Sequence, residues 1–142
     1  MTPKHADTRR VFAYLRSRGI DAEIINHCIK HGQLYEDAAH HNCVFVGYKH
    51  DKPTYGALRG TLSDTTFAGE VPGSDKRFSF AVPLRAGGKT LCVFESAIDA
   101  LSYLTLLKLR GIGAPPIRCP FPASISRGRM ARSVSPRRWS NT

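Results

Sequence analysis

Asp99 is the last acidic residue of the chain, and that one fact divides what can fold from what cannot. Residues 100–142 hold eight Lys and Arg and no Asp or Glu, a net charge of +8, whereas residues 1–99 hold 13 Lys and Arg against 11 acids. Beyond residue 110 the stretch GIGAPPIRCPFPAS and the run ISRGRMARSVSPRRWSNT bring closely spaced prolines, six arginines and no hydrophobic period. Such a segment buries too little apolar surface to offset its ordering entropy, so residues 111–142 are expected to be disordered. The remainder is nearly balanced in charge, and with 42% hydrophobic residues overall the chain can build one core. No run of about 18 apolar residues is present, so no membrane span is expected. The start MTPKHADTRR has no apolar leader, and the four cysteines are widely spread. Together these point to a cytoplasmic protein with free thiols.

Hydrophobic periodicity orders the first 110 residues. TRRVFAYLRSR (8–18) places Val11, Phe12 and Leu15 on one helical face with arginines opposite, Thr8 as N-cap and Gly19 as stop. A second helix begins at Asp21, carries Ile24, Ile25, Cys28 and Ile29 as its stripe, and ends at Gly32. NCVFVGY (42–48) and TYGALRGT (54–61) read as two strands of a hairpin turning at DKP (51–53), the stretch 62–75 as a loop, and RFSFAVP (77–83) as a third strand. TLCVFE (90–95) is a nearly continuous apolar strand, and SAIDALSYLTLLKLR (96–110) a helix with Ala97, Ile98, Leu101, Leu104 and Leu107 among its apolar positions. Strand, carboxylate and helix make the opening half of a βαβ unit. No following strand is legible, so strand 90–95 is expected to be sticky or mobile, or to pair with the edge of the preceding sheet.

The chemistry concentrates at the strand–helix junction. Glu95 ends a buried strand, where open α/β sheets bind ligands, and Asp99 lies four residues on in the first helical turn. Two carboxylates there can share a Mg²⁺ that also bridges phosphate oxygens. The alternative is structural: Ser96-x-x-Asp99 is a capping pattern, and an acid in the first turn suits the helix dipole. A second metal reading takes Cys28, His31, His40 and Cys43, a Cys/His pair on either side of a short spacer, as zinc ligands. Against it, Cys28 falls on the apolar stripe and Cys43 opens a strand, which makes both small core residues, with His40 and His41 in a solvated loop. No Walker-type phosphate loop or nucleophile elbow is present.

The run LCVFESAIDALSYLTL (91–106) resembles the first motif of Toprim domains, the metal-dependent fold shared by DnaG-type primases and topoisomerases. Upstream, YLRSRGID (14–21), GQLYED (32–37), HNCVFVGY (41–48), ALRGT (57–61) and GEVPGSDKRFSF (69–80) resemble the domain preceding a Toprim-like domain in primase-like proteins of conjugative mobile elements. The resemblance covers residues 8 to 110. It implies Glu95 as the catalytic acid/base, Glu95 and Asp99 as Mg²⁺ ligands, and Arg59, Lys76 and Arg77 as contacts to the phosphates of single-stranded DNA or nucleotides. It also implies Mg²⁺-dependent nucleotidyl transfer in complete relatives. The later Asp-x-Asp motif of that family has no counterpart here, so the chain is expected to be truncated and inactive alone, binding single-stranded DNA.

The expected fold is therefore α+β: a helical hairpin plus small antiparallel sheet over residues 1–88, the first βα unit of an incomplete Toprim-like domain over 89–110, and a disordered basic tail over 111–142. The tail arginines Arg127, Arg129, Arg132, Arg137 and Arg138 read either as a sequence-independent nucleic-acid arm or as the product of an altered reading frame. In the first case the chain is a non-enzymatic nucleic-acid-binding protein, in the second an inactive fragment.

Overall fold

In a computed structural model of the chain, residues 1–62, 64, 66–82, 90–111, 117–118 and 137–138 are described. The helical periods give α1 (Arg9–Ser17) and α2 (Ala22–Lys30). Val11 and Leu15 of α1 and Ile25 and Cys28 of α2 are wholly buried, and Phe12, Ile24 and Ile29 pack against them from the margin. Both stops fall on glycines in the left-handed region, Gly19 at φ 85° and Gly32 at φ 70°. Asp21 caps α2 by accepting from the Glu23 N–H at 3.0 Å. Thr8 occupies the N-cap position of α1 without bonding through its side chain; instead Asp7 Oδ1 accepts from the Arg9 N–H at 3.2 Å.

Four strands follow: β1 (Leu34–Glu36), β2 (Cys43–Lys49), β3 (Lys52–Arg59) and β4 (Ala68–Glu70), antiparallel in the order β1-β2-β3-β4. The hairpin turns at His50 and Asp51, both at positive φ (45° and 64°), rather than at 51–53. Two left-handed residues match the twist of the flanking strands. As an inner strand, β2 is buried on both faces. Cys43 and Phe45 face the main core, while Val44 and Val46 join a second cluster with Tyr35 and Val71. Strands β1 and β4 lie where sequence reading expects loops, because three residues are too few to display a period.

The expected strand at 77–83 is corrected: Lys76–Phe78 is a 3₁₀ turn capped by Asp75, and among the described residues of that stretch only Ala81–Val82 pairs as a strand, β5. Gly47 explains how that segment docks. A Cβ at this position would lie 1.7 Å from the Phe78 carbonyl oxygen, so the turn rests directly on the β2 backbone. Phe80 is buried beside Phe45, edge to face with centroids 5.5 Å apart.

The junction segment forms β6 (Thr90–Val93) and α3 (Ala97–Leu109). Ala97, Ile98, Leu101, Leu104 and Leu107 are all buried, as their spacing predicts. The helix packs onto the N-terminal pair: Asp21 N–H donates to Thr105 Oγ1 at 3.0 Å, and Lys108 Nζ lies 2.6 Å from both Asp21 Oδ2 and Glu23 Oε2. A parallel strand does follow α3, contrary to expectation. Ile117–Arg118 (β7) pairs parallel with Cys92–Val93 and antiparallel with β5, and Arg137–Arg138 (β8) lines the other edge of β6. Strand β6 is thus paired on both sides within the second sheet, in the order β5-β7-β6-β8, and does not join the first. Short strands set among prolines carry no periodic signal, which is why they are not legible in the sequence. Apart from Gly111 and these two dipeptides, the expected disorder of 111–142 lies outside the described residues, as do Arg127, Arg129 and Arg132. The chain is α+β, and no helix among the described residues is long and apolar enough to cross a membrane.

Candidate nucleic-acid interface

Helical geometry puts Arg10, Tyr14 and Ser17 on one face of α1, because residues three, four and seven apart stack along a helix, and the C-cap residue Arg18 follows on the same side. The end of β3 and the loop after it run beside that face. Gly60 N–H donates to the Phe67 carbonyl at 2.8 Å, folding the loop back, and Thr61 Oγ1 donates to the His41 carbonyl at 3.0 Å. Between helix and loop lies a cleft of about 400 Å³ lined by Arg10, Tyr14, Arg18, Arg59, Thr61 and Thr66, among others, with no carboxylate among the described residues of its wall. Among the described residues, none of the three arginines makes an ion pair or a side-chain hydrogen bond. Three guanidiniums flanked by hydroxyls present the paired N–H donors with which Arg recognises phosphate oxygens.

The basic residues singled out in the sequence do not gather in one place. Arg59 lines the cleft. Lys76 and Arg77 sit at the opposite end of the β2–β3 hairpin, where Asp75 N–H bonds the Thr54 carbonyl at 3.0 Å. Thr54 and Arg59 are five residues apart on one strand, about 17 Å at about 3.3 Å per residue. Both of these charges also have acidic partners. Arg77 grips Asp75 with Nη2 at 2.7 Å and Nε at 3.0 Å, and hydrogen bonding from Arg77 holds the Asp75 carboxyl down at about 2. Lys76 Nζ stands 3.9 Å from Glu70 Oε2.

At the strand–helix junction the capping geometry is present. Ser96 Oγ accepts from the Asp99 N–H at 3.2 Å and donates to Asp99 Oδ2 at 2.8 Å. Asp99 is exposed on the first turn of α3, and Glu95 is half-buried just beyond β6 with no ion pair among the described residues. No third His, Cys, Asp or Glu joins them there among the described residues.

The Cys/His reading dissolves into packing. Cys28 and Cys43 are wholly buried in the core, and burial pushes both thiols up to about 12. His31 stacks on His27 and bonds the carbonyl of that residue at 2.8 Å, while exposed His40 lies 3.5 Å from Asp37. Burial is also what defines the group that sequence reading misses. Glu36, 1% exposed on β1, holds Oε1 2.5 Å from His41 Nδ1 and 3.9 Å from His5 Nδ1. Its Oε2 accepts from the Val11 N–H at 3.3 Å. His5 is 31 residues from Glu36 in sequence, so no local spacing marks the set, and His41 reads from its neighbours as a solvated loop residue.

No curated protein and no solved structure matches the chain. A family model described as "Protein of unknown function (DUF3991)" matches residues 13–85, which take in the helix face from Ala13, the hairpin and the Arg59 loop. The chain belongs to this DUF3991 family of proteins of unknown function.

Proposed function

We propose that this chain binds single-stranded nucleic acid by its phosphates in the α1–β3 cleft, as the template-holding part of a primase-like, Toprim-related protein of mobile elements. One observation carries the reading: Arg10, Arg18 and Arg59 converge on a single cleft with no acid among the described residues of its wall. Guanidiniums that pair with no protein carboxylate keep their full charge for a ligand, and phosphate contacts hold a strand without reading its sequence. Arg59 belongs to the role the resemblance implies, and Arg10 and Arg18 extend it. Lys76 and Arg77, held by Glu70 and Asp75, contribute less.

The Toprim part of the reading draws on the order strand, Glu95, helix and parallel strand. Two carboxylates suit Mg²⁺ when phosphate oxygens and water complete its shell. Glu95 and Asp99 would hold the ion in that reading, and its chemistry would be to neutralise phosphate charge. By themselves, Asp99 locks the Ser96 cap at the helix start, and Glu95 stands in the short link between β6 and α3.

The test is binding of a labelled oligothymidylate by the full chain, read by fluorescence anisotropy. Joint replacement of Arg10, Arg18 and Arg59 by alanine weakens binding uniformly across oligonucleotide sequences, and Lys76→Ala with Arg77→Ala changes it less. Full affinity in the triple variant sinks the proposal and transfers the activity to the arginines of residues 111–142.

A further inference from the structure

We propose that His5, Glu36 and His41 form a binding site for one divalent transition-metal ion of the zinc type, independent of the nucleic-acid reading. One ligand atom from each residue lies within 4.8 Å of the others. The backbone supplies the order that a metal site requires. The N-terminal segment runs along β1: Ala38 N–H bonds the Pro3 carbonyl at 3.0 Å, His5 N–H bonds the Glu36 carbonyl at 2.8 Å, and Tyr35 Oη donates to the Thr2 carbonyl at 2.9 Å. These bonds bring the His5 ring over Glu36. His41 arrives from the other side at the end of a tight turn, its N–H on the Asp37 carbonyl at 2.9 Å. It adopts φ 56°, a left-handed conformation uncommon for any residue but glycine. The hydroxyl of Thr61 fixes its carbonyl.

Glu36 gives the site its charge. A carboxylate this deeply buried needs compensation, and among the described residues no Lys or Arg pairs with it. Its neighbours are two imidazoles and the first turn of α1, and Oε2 is already held by the Val11 amide. Oε1 is therefore the oxygen turned toward both histidines. Two imidazole nitrogens and one carboxylate oxygen suit zinc and its neighbours, and they suit Mg²⁺ or Ca²⁺ poorly, since those ions take oxygen ligands. Three protein ligands leave a fourth position for water or a substrate atom. Ligands about 2.0–2.1 Å from a tetrahedral zinc sit about 3.3 Å apart, so the 2.5 Å pair must open by about 0.8 Å, the 3.9 Å pair must close by about 0.6 Å, and the two imidazole nitrogens, within 4.8 Å of each other, must close by at most about 1.5 Å.

Titration of the full chain with Co²⁺, followed by Zn²⁺ competition against a chromophoric chelator, tests the site. One ion per chain is expected, with d–d absorption of nitrogen and oxygen ligation. His5→Ala and His41→Ala each weaken binding by about a hundredfold or more, whereas His27→Ala with His31→Ala leaves it unchanged. Both replaced rings are part-exposed, so these variants keep the fold, which circular dichroism verifies. The two histidine variants decide the matter without Glu36→Gln, a riskier change in the core. Absence of stoichiometric binding, unchanged affinity in the His5 and His41 variants, or a thiolate charge-transfer band would each overturn the proposal.

Discussion

Replacing Leu101 by alanine removes an isopropyl group from the middle of α3, where the side chain is fully buried in the same cluster as Val11, Leu15, Ile20 and Ile25. A leucine buried to that degree costs about 2–5 kcal/mol on truncation, the spread depending on how far the cavity collapses. Around Leu101 collapse is limited, because α3 is pinned to α2 by the Asp21–Thr105 bond and the Lys108 ion pairs. The upper half of that range is therefore expected, about 3.5 kcal/mol or more. With a urea slope of about 1.5–2 kcal/mol per molar, the unfolding midpoint falls by about 1.8–2.3 M or more. The informative readout is where the loss appears. Urea melts by circular dichroism and amide exchange of the β2–β3 hairpin must shift together, because one core holds both. If Leu101→Ala leaves hairpin exchange unchanged while α3 opens, the two parts fold separately and the shared-core account is wrong. That result would support the expected unit boundary between residues 88 and 89.

Three further outcomes follow from particular contacts. Gly47→Ala drives a methyl group into the Phe78 carbonyl and should destabilise by about 1–3 kcal/mol or more, lowering the thermal midpoint and loosening residues 76–79 in amide exchange; a neutral effect would refute that packing. Hydrogen bonding from Lys108 holds the Asp21 carboxyl below its ordinary value. That stabilisation is present above about pH 4, the unfolded value, and is lost as pH falls through the lower folded value. Asp21→Asn keeps the cap but should flatten the acid limb of the stability curve, and an unchanged limb counts against the contact. Cys28 and Cys43, pushed up to about 12 by burial, should resist a thiol reagent at pH 8 in a Cys92→Ser, Cys119→Ser background and react once the chain is unfolded. Rapid labelling of the native protein would contradict their place in the core.

What the sequence makes legible is what repeats locally. The stripe of Ala97, Ile98, Leu101, Leu104 and Leu107 recurs at helical spacing, and every member is buried. The Asp21 cap, the two glycine stops and the long hairpin depend on neighbours within a few residues, so they too can be read directly. The three-residue strands β1 and β4 depend instead on partners elsewhere: Leu34 on Phe45, and Glu70 on Ala57. Charge misleads for the same reason. Lys76 and Arg77 look as available as Arg59 until Asp75 and Glu70 are seen beside them. Arg10 and Arg18 look like an ordinary solvated helix face until the Arg59 loop closes one side of it. The His5–Glu36–His41 group is the extreme case, since His5 meets the Glu36–His41 turn only after folding.

The central claim is that the α1–β3 cleft carries phosphate contacts, and salt dependence measures those contacts directly. Single-strand affinity falls with log salt at about 0.7 per neutralised phosphate, so three arginines account for about 2 units of slope. The measurement is the slope difference between the wild-type chain and the Arg10→Ala, Arg18→Ala, Arg59→Ala variant on one oligothymidylate, with residues 111–142 present in both. A difference near 2 is the expected result. Parallel lines, with binding intact, would mean that the cleft touches no phosphate and would contradict the account.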